Sequence, residues 1–184
     1  MAAVERPPAS PPEVQSMLSA AALILFPSLM AYAASSDLLT MTIGNWVSAA
    51  LVAGFLAMAA LAGMPILAVL EMHVACGMAV LVLTFALFAF GWIGGGDAKL
   101  AAATAVWLGW DNLYAYGLAA SAIGGALTLA ILFLRKHDLP SILDGQAWVM
   151  RLHAAGNGVP YGIALAAAGL ILYPDSAVWS AAAA

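Results

Sequence analysis

An uncharged apolar run near the start of the chain, Met17–Ser36, limits the possible folds more than any other feature. A helix that crosses the hydrocarbon core of a bilayer needs about 20 mostly apolar residues, and this run has that length. The rest of the chain is similar, since 65% of all residues are hydrophobic and 8% are charged, against about 25% charged in soluble domains. We therefore predict that lipid surrounds most of the chain.

Further apolar runs predict an all-α, polytopic integral membrane protein with about six transmembrane helices. Residues 1–16 are rich in proline and predict a flexible N-terminal tail, and residues 17–184 form a single transmembrane domain. The short segment Pro65–His73 contains Glu71 and His73, and we expect it to lie in the membrane interface. The five spans predicted after the first are Trp46–Gly63, Val74–Phe90, Ala98–Trp110, Asn112–Leu134 and Val159–Tyr173.

The basic residues predict the orientation of these spans, because cytoplasmic loops of membrane proteins are enriched in Lys and Arg. If the loop after Asp37 is cytoplasmic, six spans place four of the five basic residues on the cytoplasmic side. Only Arg6 then lies outside. This arrangement requires Ala98–Trp110 to span, because every later segment inverts if it does not. The four cytoplasmic residues are Lys99, Arg135, Lys136 and Arg151.

The stretch GWIGGGDAKL, residues 91–100, places Asp97 directly after three glycines and between two apolar runs. A carboxylate near hydrocarbon is costly and is usually paired or functional. The predicted orientation puts Asp97 and Asp37 on the same side of the membrane at similar depth. Two such carboxylates can share one proton, which is the arrangement that general acid–base hydrolysis by an aspartic protease requires.

The glycines beside Asp97 fit a site of this kind. Residues without Cβ allow the backbone to approach a neighbour or a substrate closely. Irregular backbone at membrane depth persists only where it is buried in protein or lines a wet cavity. We expect Gly94 and Gly96 to shape the entrance to the site, and Lys99 to bind a substrate carbonyl, a lipid phosphate or Asp97 itself.

These motifs resemble those of the type IV prepilin peptidase family, a group of intramembrane aspartyl proteases. GGGD at Gly94–Asp97 is similar to the Gly-x-Gly-Asp motif of the family, and DLLTMTIGNW at Asp37–Trp46 resembles its first aspartate motif. GNGVPYGIALAAAGL, Gly156–Leu170, resembles its last helix, which a Pro-Tyr-Gly usually opens. The similarity covers roughly residues 17 to 175 and is greatest to the small, single-domain branch that serves tight-adherence (Flp-type) pili.

The resemblance implies an activity and a site. Asp37 and Asp97 would be the catalytic pair of an aspartic endopeptidase of the bacterial inner membrane, working without a metal or other cofactor. Its partner would be a small Flp-type prepilin, cleaved after a glycine at the cytoplasmic membrane face. The larger family members carry a domain with paired cysteines that is associated with N-methylation. This sequence has only Cys76, so peptidase activity without methyltransferase activity is implied.

The first aspartate motif departs from the family pattern at two positions. Gly44 stands where the family usually has proline, and Met41 stands where a basic residue is common. Two other functions therefore stay open: a small proton-coupled transporter that uses the same aspartates, and a non-catalytic membrane subunit of a pilus or secretion assembly. The acids gather at the ends of spans, which counts against a proton path across the membrane.

Other classes of function have little support in the sequence. The net charge of −4 provides no basic surface for nucleic acid. Glu71 and His73 lack a third ligand at the spacing that metal sites use, so no metal site is predicted. The oligomeric state and the identity of the prepilin do not follow from the sequence.

Overall fold

The computed structural model of the protein describes residues 12–143 and 145–183, and this part of the chain consists of helices joined by turns and loops, without a strand. Most of the predicted tail, residues 1–16, lies outside the described residues, and residues 12–16 begin the first helix. The helices are α1 (Pro12–Thr40), α2 (Asn45–Leu61), α3 (Ile66–Ala68), α4 (Ala75–Ala89), α5 (Gly95–Leu134), α6 (Ala147–His153), α7 (Gly162–Leu172) and α8 (Ala177–Ala183).

A π-helical stretch, Val69–Val74, joins α3 to α4 without interruption, so that Ile66–Ala89 forms one apolar helix. The segment Pro65–His73 is therefore continuous with α4, its position in the membrane interface stays a prediction, and the expectation fails for the side chain of His73, which faces the protein. His73 is 4% exposed, and its Nδ1 donates a hydrogen bond of 2.9 Å to the Val106 carbonyl. This partner, distant in sequence, satisfies a polar side chain that hydropathy alone would assign to the membrane surface.

The helix α5 is broken at Gly109, where φ is 68° and ψ is −178°. The side-chain amide of Asn112 bonds to the Asp175 carbonyl beyond the end of α7. Further along α5, Tyr161, which precedes α7, lies against Gly124, and its hydroxyl contacts the Ala120 carbonyl. Residues 110–134 therefore run along α7 from its end towards its start.

The other arm of α5, residues 95–108, runs in the opposite direction. Asp97 at its start interacts with Asp37, whose carboxylate is bonded to Gly162 at the start of α7. Thr104 is close to Gly169, which is further along α7. The chain thus reverses at Gly109, one residue before the end of the predicted span Ala98–Trp110.

The arm at residues 95–108 is the centre of the bundle, and almost every residue from Ala98 to Gly109 is buried. Trp107 is fully buried, and its indole N–H donates to the Leu51 carbonyl of α2 over 2.8 Å. Alanines dominate the arm, which lets the surrounding helices approach closely, as small residues do in membrane bundles. The arm that begins with Asp97 is therefore held on several sides.

Three of the described helices are long and apolar enough to cross a membrane: Gln15–Thr40, Ile66–Ala89 and Gly95–Leu134. Two shorter apolar helices, Asn45–Leu61 and Gly162–Asp175, accompany them. These features identify a helical membrane protein. The number of six spans, and the side of the membrane on which each loop lies, stay predictions.

Candidate active site

Asp37 lies one turn before the end of α1 and is 5% exposed. Its Oδ2 accepts a hydrogen bond of 2.7 Å from the backbone N–H of Gly162, the first residue of α7. The N-terminus of a helix carries a partial positive charge and unpaired N–H groups, so it stabilises a carboxylate. The hydrogen-bond donor for this buried acid thus comes from a helix that is distant in sequence, and not from its neighbours along the chain.

Asp97 lies in the first turn of α5 and is only partly buried. The backbone of Gly94, the N-cap residue of α5, lies beside its carboxylate, since a Cβ at Gly94 would lie 2.9 Å from Asp97 Oδ2. The start of a helix carries a partial positive charge, which favours an acid in the first turn. Asp97, like Asp37, therefore lies at the start of a helix.

The two carboxylates come together from elements that are distant in sequence. Asp37 and Asp97 are close enough for their charges to interact. The backbone N–H of Gly162 bonds to Asp37, and the backbone of Gly94 lies beside Asp97. The arrangement combines two acids, one buried and one open to its surroundings, at the meeting point of α1, α5 and α7.

The loop between α1 and α2 packs against both acid-bearing segments through Ile43. A Cβ at Gly96 would lie 3.2 Å from Ile43 Cβ, and a Cβ at Gly162 would lie 2.7 Å from Ile43 Cδ1. A Cβ at Gly94 would lie 2.9 Å from Asp97 Oδ2. Gly94 and Gly96 therefore lie next to the carboxylates. Because these two residues lack side chains, Asp97 fits beside Gly94 and Ile43 fits beside Gly96.

Comparison with known families agrees with this arrangement. The sequence model of the type IV leader peptidase family matches residues 24–129, which include both aspartates and the GGGD motif. The chain belongs to the type IV leader peptidase family. No curated protein and no solved structure gives a significant match. Membership indicates a membrane aspartic peptidase of the prepilin peptidase type.

The departure of this leader peptidase at Gly44 does not require a different backbone. Gly44 is the N-cap residue of α2 and has φ −64° and ψ 139°. A proline ring fixes φ near −65°. The backbone of the loop is therefore compatible with proline, but a Cβ at Gly44 would lie 2.9 Å from Trp46 Cδ1, so the Trp46 side chain would have to move.

Lys99 points away from the site in which the two acids meet. Its Nζ donates to Asn45 Oδ1 over 2.7 Å, which links the first turn of α5 to the first residue of α2. Its side chain is exposed and lines a groove on the surface of the bundle. Of the three roles expected for Lys99, the bond to Asp97 is not formed in this conformation.

Two residues with a part in the site were not identified as such from the sequence. Gly162 donates to Asp37, and Gly124 packs against the ring of Tyr161, the residue before Gly162. The Pro-Tyr-Gly at residues 160–162 was a signal for the start of α7, although not for a bond to Asp37. No feature of the sequence indicated the role of Gly124, because Gly124 and Gly125 are equivalent by pattern in an apolar run.

We predict that Gly124→Ala weakens both the fold and the activity of this leader peptidase. The added Cβ would overlap the ring of Tyr161 and displace the start of α7, which holds the donor to Asp37. Overpacking of this kind typically costs about 1–3 kcal/mol. The measurement is unfolding in detergent, followed by tryptophan fluorescence, together with the rate of precursor cleavage.

The neighbouring glycine supplies a matched control. A Cβ at Gly125 would meet no atom within 4 Å, so Gly125→Ala should keep the activity and gain up to about 1 kcal/mol from helix propensity. Equal behaviour of the two variants would show that the contact between Gly124 and Tyr161 does not matter for the site.

Proposed function

We propose that the protein is a prepilin peptidase that cleaves the leader peptide of type IV, Flp-type prepilins after a glycine at the cytoplasmic membrane face. The observation that carries this proposal is the convergence of Asp37 and Asp97, with Asp37 bonded to the start of α7 and Asp97 in the first turn of α5. Family membership supports the reaction class. The bacterial inner membrane is the corresponding location.

The chemistry follows from one protonated and one ionised carboxyl group. The ionised carboxylate takes a proton from a water molecule, whose oxygen attacks the carbonyl carbon of the scissile peptide bond. The protonated carboxyl group donates its proton to the carbonyl oxygen, giving a neutral tetrahedral intermediate. As the C–N bond breaks, a proton passes to the leaving amine, and no covalent bond to the enzyme forms.

The difference in exposure between the two acids supports access of the substrate from the side of Asp97. Asp37 is buried beneath the start of α7, whereas Asp97 is partly open. A substrate that reaches the pair from the side of Asp97 meets the exposed backbone of Gly94. Lys99, two residues further along, would have to leave Asn45 to bind a carbonyl of the same peptide.

We further propose that the protein does not methylate the new pilin N-terminus. The sequence contains one cysteine, Cys76, which is buried, so the paired cysteines associated with that second activity are not among its residues. The product of cleavage should therefore carry a free, unmodified amino group.

Co-expression of the protein with a small Flp-type prepilin tests the proposal. We expect the precursor to shorten on a gel, and the mass of the product to correspond to cleavage after glycine without an added methyl group. A secretory precursor with an ordinary signal peptide serves as the control and should stay uncut. If no Flp-type prepilin from a panel is cut, a non-catalytic subunit of a pilus or secretion assembly becomes the better explanation.

A further inference from the structure

The polar loop between α5 and α7, residues 135–161, is held by an arginine at its start. Arg135 is half-buried, and its guanidinium donates three hydrogen bonds to carbonyl oxygens further along the loop. Its Nε donates to Leu152 over 2.7 Å, and its Nη2 donates to Asn157 and Gly158 over 3.0 Å each. The polar loop therefore folds back onto the end of α5.

A second arginine ties the polar loop to the end of α1. Arg151, in the last turn of α6, donates from Nη1 to the Leu39 carbonyl over 2.9 Å. Leu39 follows Asp37 by two residues and lies in the last turn of α1, where carbonyl groups lack partners within the helix. The side-chain amide of Asn157 donates to the Arg151 carbonyl over 2.8 Å, which joins the two attachments. The polar loop is thus fastened both to α5 and to the helix that carries Asp37.

The attachment at Gly158 lies four residues before Gly162, the donor to Asp37. Between them, Pro160 is fully buried and Tyr161 packs against α5. Because a proline ring also fixes its own φ, this short stretch has little freedom to absorb a movement of the turn. A displacement of Gly158 would therefore be passed on to the backbone N–H of Gly162, whose bond of 2.7 Å orients the Asp37 carboxylate.

Arginine suits this position in a way that lysine does not. The planar guanidinium presents five N–H groups in a fixed geometry, whereas the lysine ammonium is a point charge on a flexible chain. Hydrogen bonds from a charged donor are also stronger than those between neutral groups. Lysine in place of Arg135 would therefore keep the charge but lose the simultaneous hold on the end of α6 and on the turn before α7.

We propose that Arg135 is a positioning residue for cleavage, and that it holds the N–H of Gly162 against Asp37 through the turn before α7. The inference rests on the proposed peptidase function. Arg135 bonds to the polar loop and not to the carboxylates, so its loss should slow the chemical step and leave substrate binding unchanged. Arg151 supports the same arrangement from the side of α1.

Cleavage kinetics in vesicles give the first test. Arg135→Gln and Arg135→Lys should each lower kcat for a Flp-type prepilin roughly tenfold or more, because a misplacement of about 1 Å can cost about 100-fold. KM should stay within about twofold of the wild-type value. Lys136→Gln is the matched control, since Lys136 is the next residue, is exposed and carries the same charge, and this variant should cut at the wild-type rate. Wild-type cleavage by Arg135→Lys, or a change in KM alone, would overturn the proposal.

Hydrogen–deuterium exchange tests the positioning without substrate. The amide hydrogen of Gly162, held on Asp37 in the wild type, should exchange roughly tenfold faster in Arg135→Gln and at the wild-type rate in Lys136→Gln. Exchange in α2 should be the same in all variants, which distinguishes a local release of α7 from a general loss of the fold. Unchanged exchange at Gly162, or faster exchange in every helix alike, would contradict the proposal.

The two tests separate this inference from the proposed function. If the wild type and Arg135→Gln cut the prepilin equally well, the inference fails and the peptidase function stands. If the wild type cuts no prepilin but Gly162 still exchanges faster in Arg135→Gln, the peptidase function fails and the hold of Arg135 on the start of α7 stands.

Discussion

Asp37→Asn and Asp97→Asn should each lower the rate of prepilin cleavage by roughly 10³-fold, because each removes a group that transfers a proton in the reaction. Asparagine has nearly the shape of aspartate and, at position 37, keeps an oxygen that can accept the backbone N–H of Gly162. The folds of both variants should therefore survive, and the loss should be one of chemistry. Quantified precursor cleavage in vesicles measures it.

A double variant that carries both Asp37→Asn and Asp97→Asn tests whether the two acids act as one catalytic unit. Residues that act as one catalytic unit have effects that do not add, so combining both substitutions should lower the rate little beyond either alone. Asp175→Asn is the matched control, since Asp175 is an exposed acid beyond the end of α7 and should be replaceable without loss. Cleavage by either single variant at the wild-type rate would rule out the aspartyl mechanism for this protein.

Gly109→Ala should destabilise the protein, because alanine cannot adopt the backbone conformation of this position without strain. The backbone at Gly109, with φ 68° and ψ −178°, lies in a region that is essentially restricted to glycine, and such conformations cost other residues about 1–3 kcal/mol. The new Cβ would also lie 3.2 Å from both His73 Cε1 and the Met72 carbonyl oxygen. Unfolding by titration with a denaturing detergent, followed by tryptophan fluorescence, measures the change.

Gly117→Ala is the control for this effect, because Gly117 lies in the same helix and a Cβ there would meet nothing within 4 Å. Alanine at a regular helical position should stabilise by roughly 0.5–1 kcal/mol. The two variants should thus change the free energy of unfolding in opposite directions. A Gly109→Ala protein as stable as the wild type would mean that the reversal of α5 does not depend on this backbone conformation.

The sequence predicted the proximity of the two carboxylates better than it predicted the path of the chain between them. Charge bias and the count of apolar runs put Asp37 and Asp97 at one depth, and the structure brings them together. The role of the pair in catalysis stays a prediction. The observed reversal at Gly109 lies one residue before the end of the predicted span Ala98–Trp110, although a glycine in an apolar run does not reveal its φ.

The burial of His73, which the sequence did not predict, has a clear physical cause. Glu71 and His73 lower the local hydropathy, which indicates the membrane surface when neighbours in space are unknown. In the fold, His73 finds the Val106 carbonyl and packs on Phe55, with ring centroids 4.9 Å apart. The bond from Gly162 to Asp37 likewise joins residues that are far apart in sequence, so periodicity and spacing could not supply it.

The two arms of α5 should diverge at different speeds during evolution. On the 95–108 arm, a larger side chain at Ala101 or Ala105 would push apart neighbouring helices, and with them the elements that hold Asp37 and Asp97. On the 110–134 arm, Tyr114 and Leu129 are 81% and 70% exposed and can be exchanged for other apolar residues at little cost. Selection should therefore retain small side chains on the 95–108 arm. The sequence of the 110–134 arm should vary among apolar residues that suit the surrounding lipid.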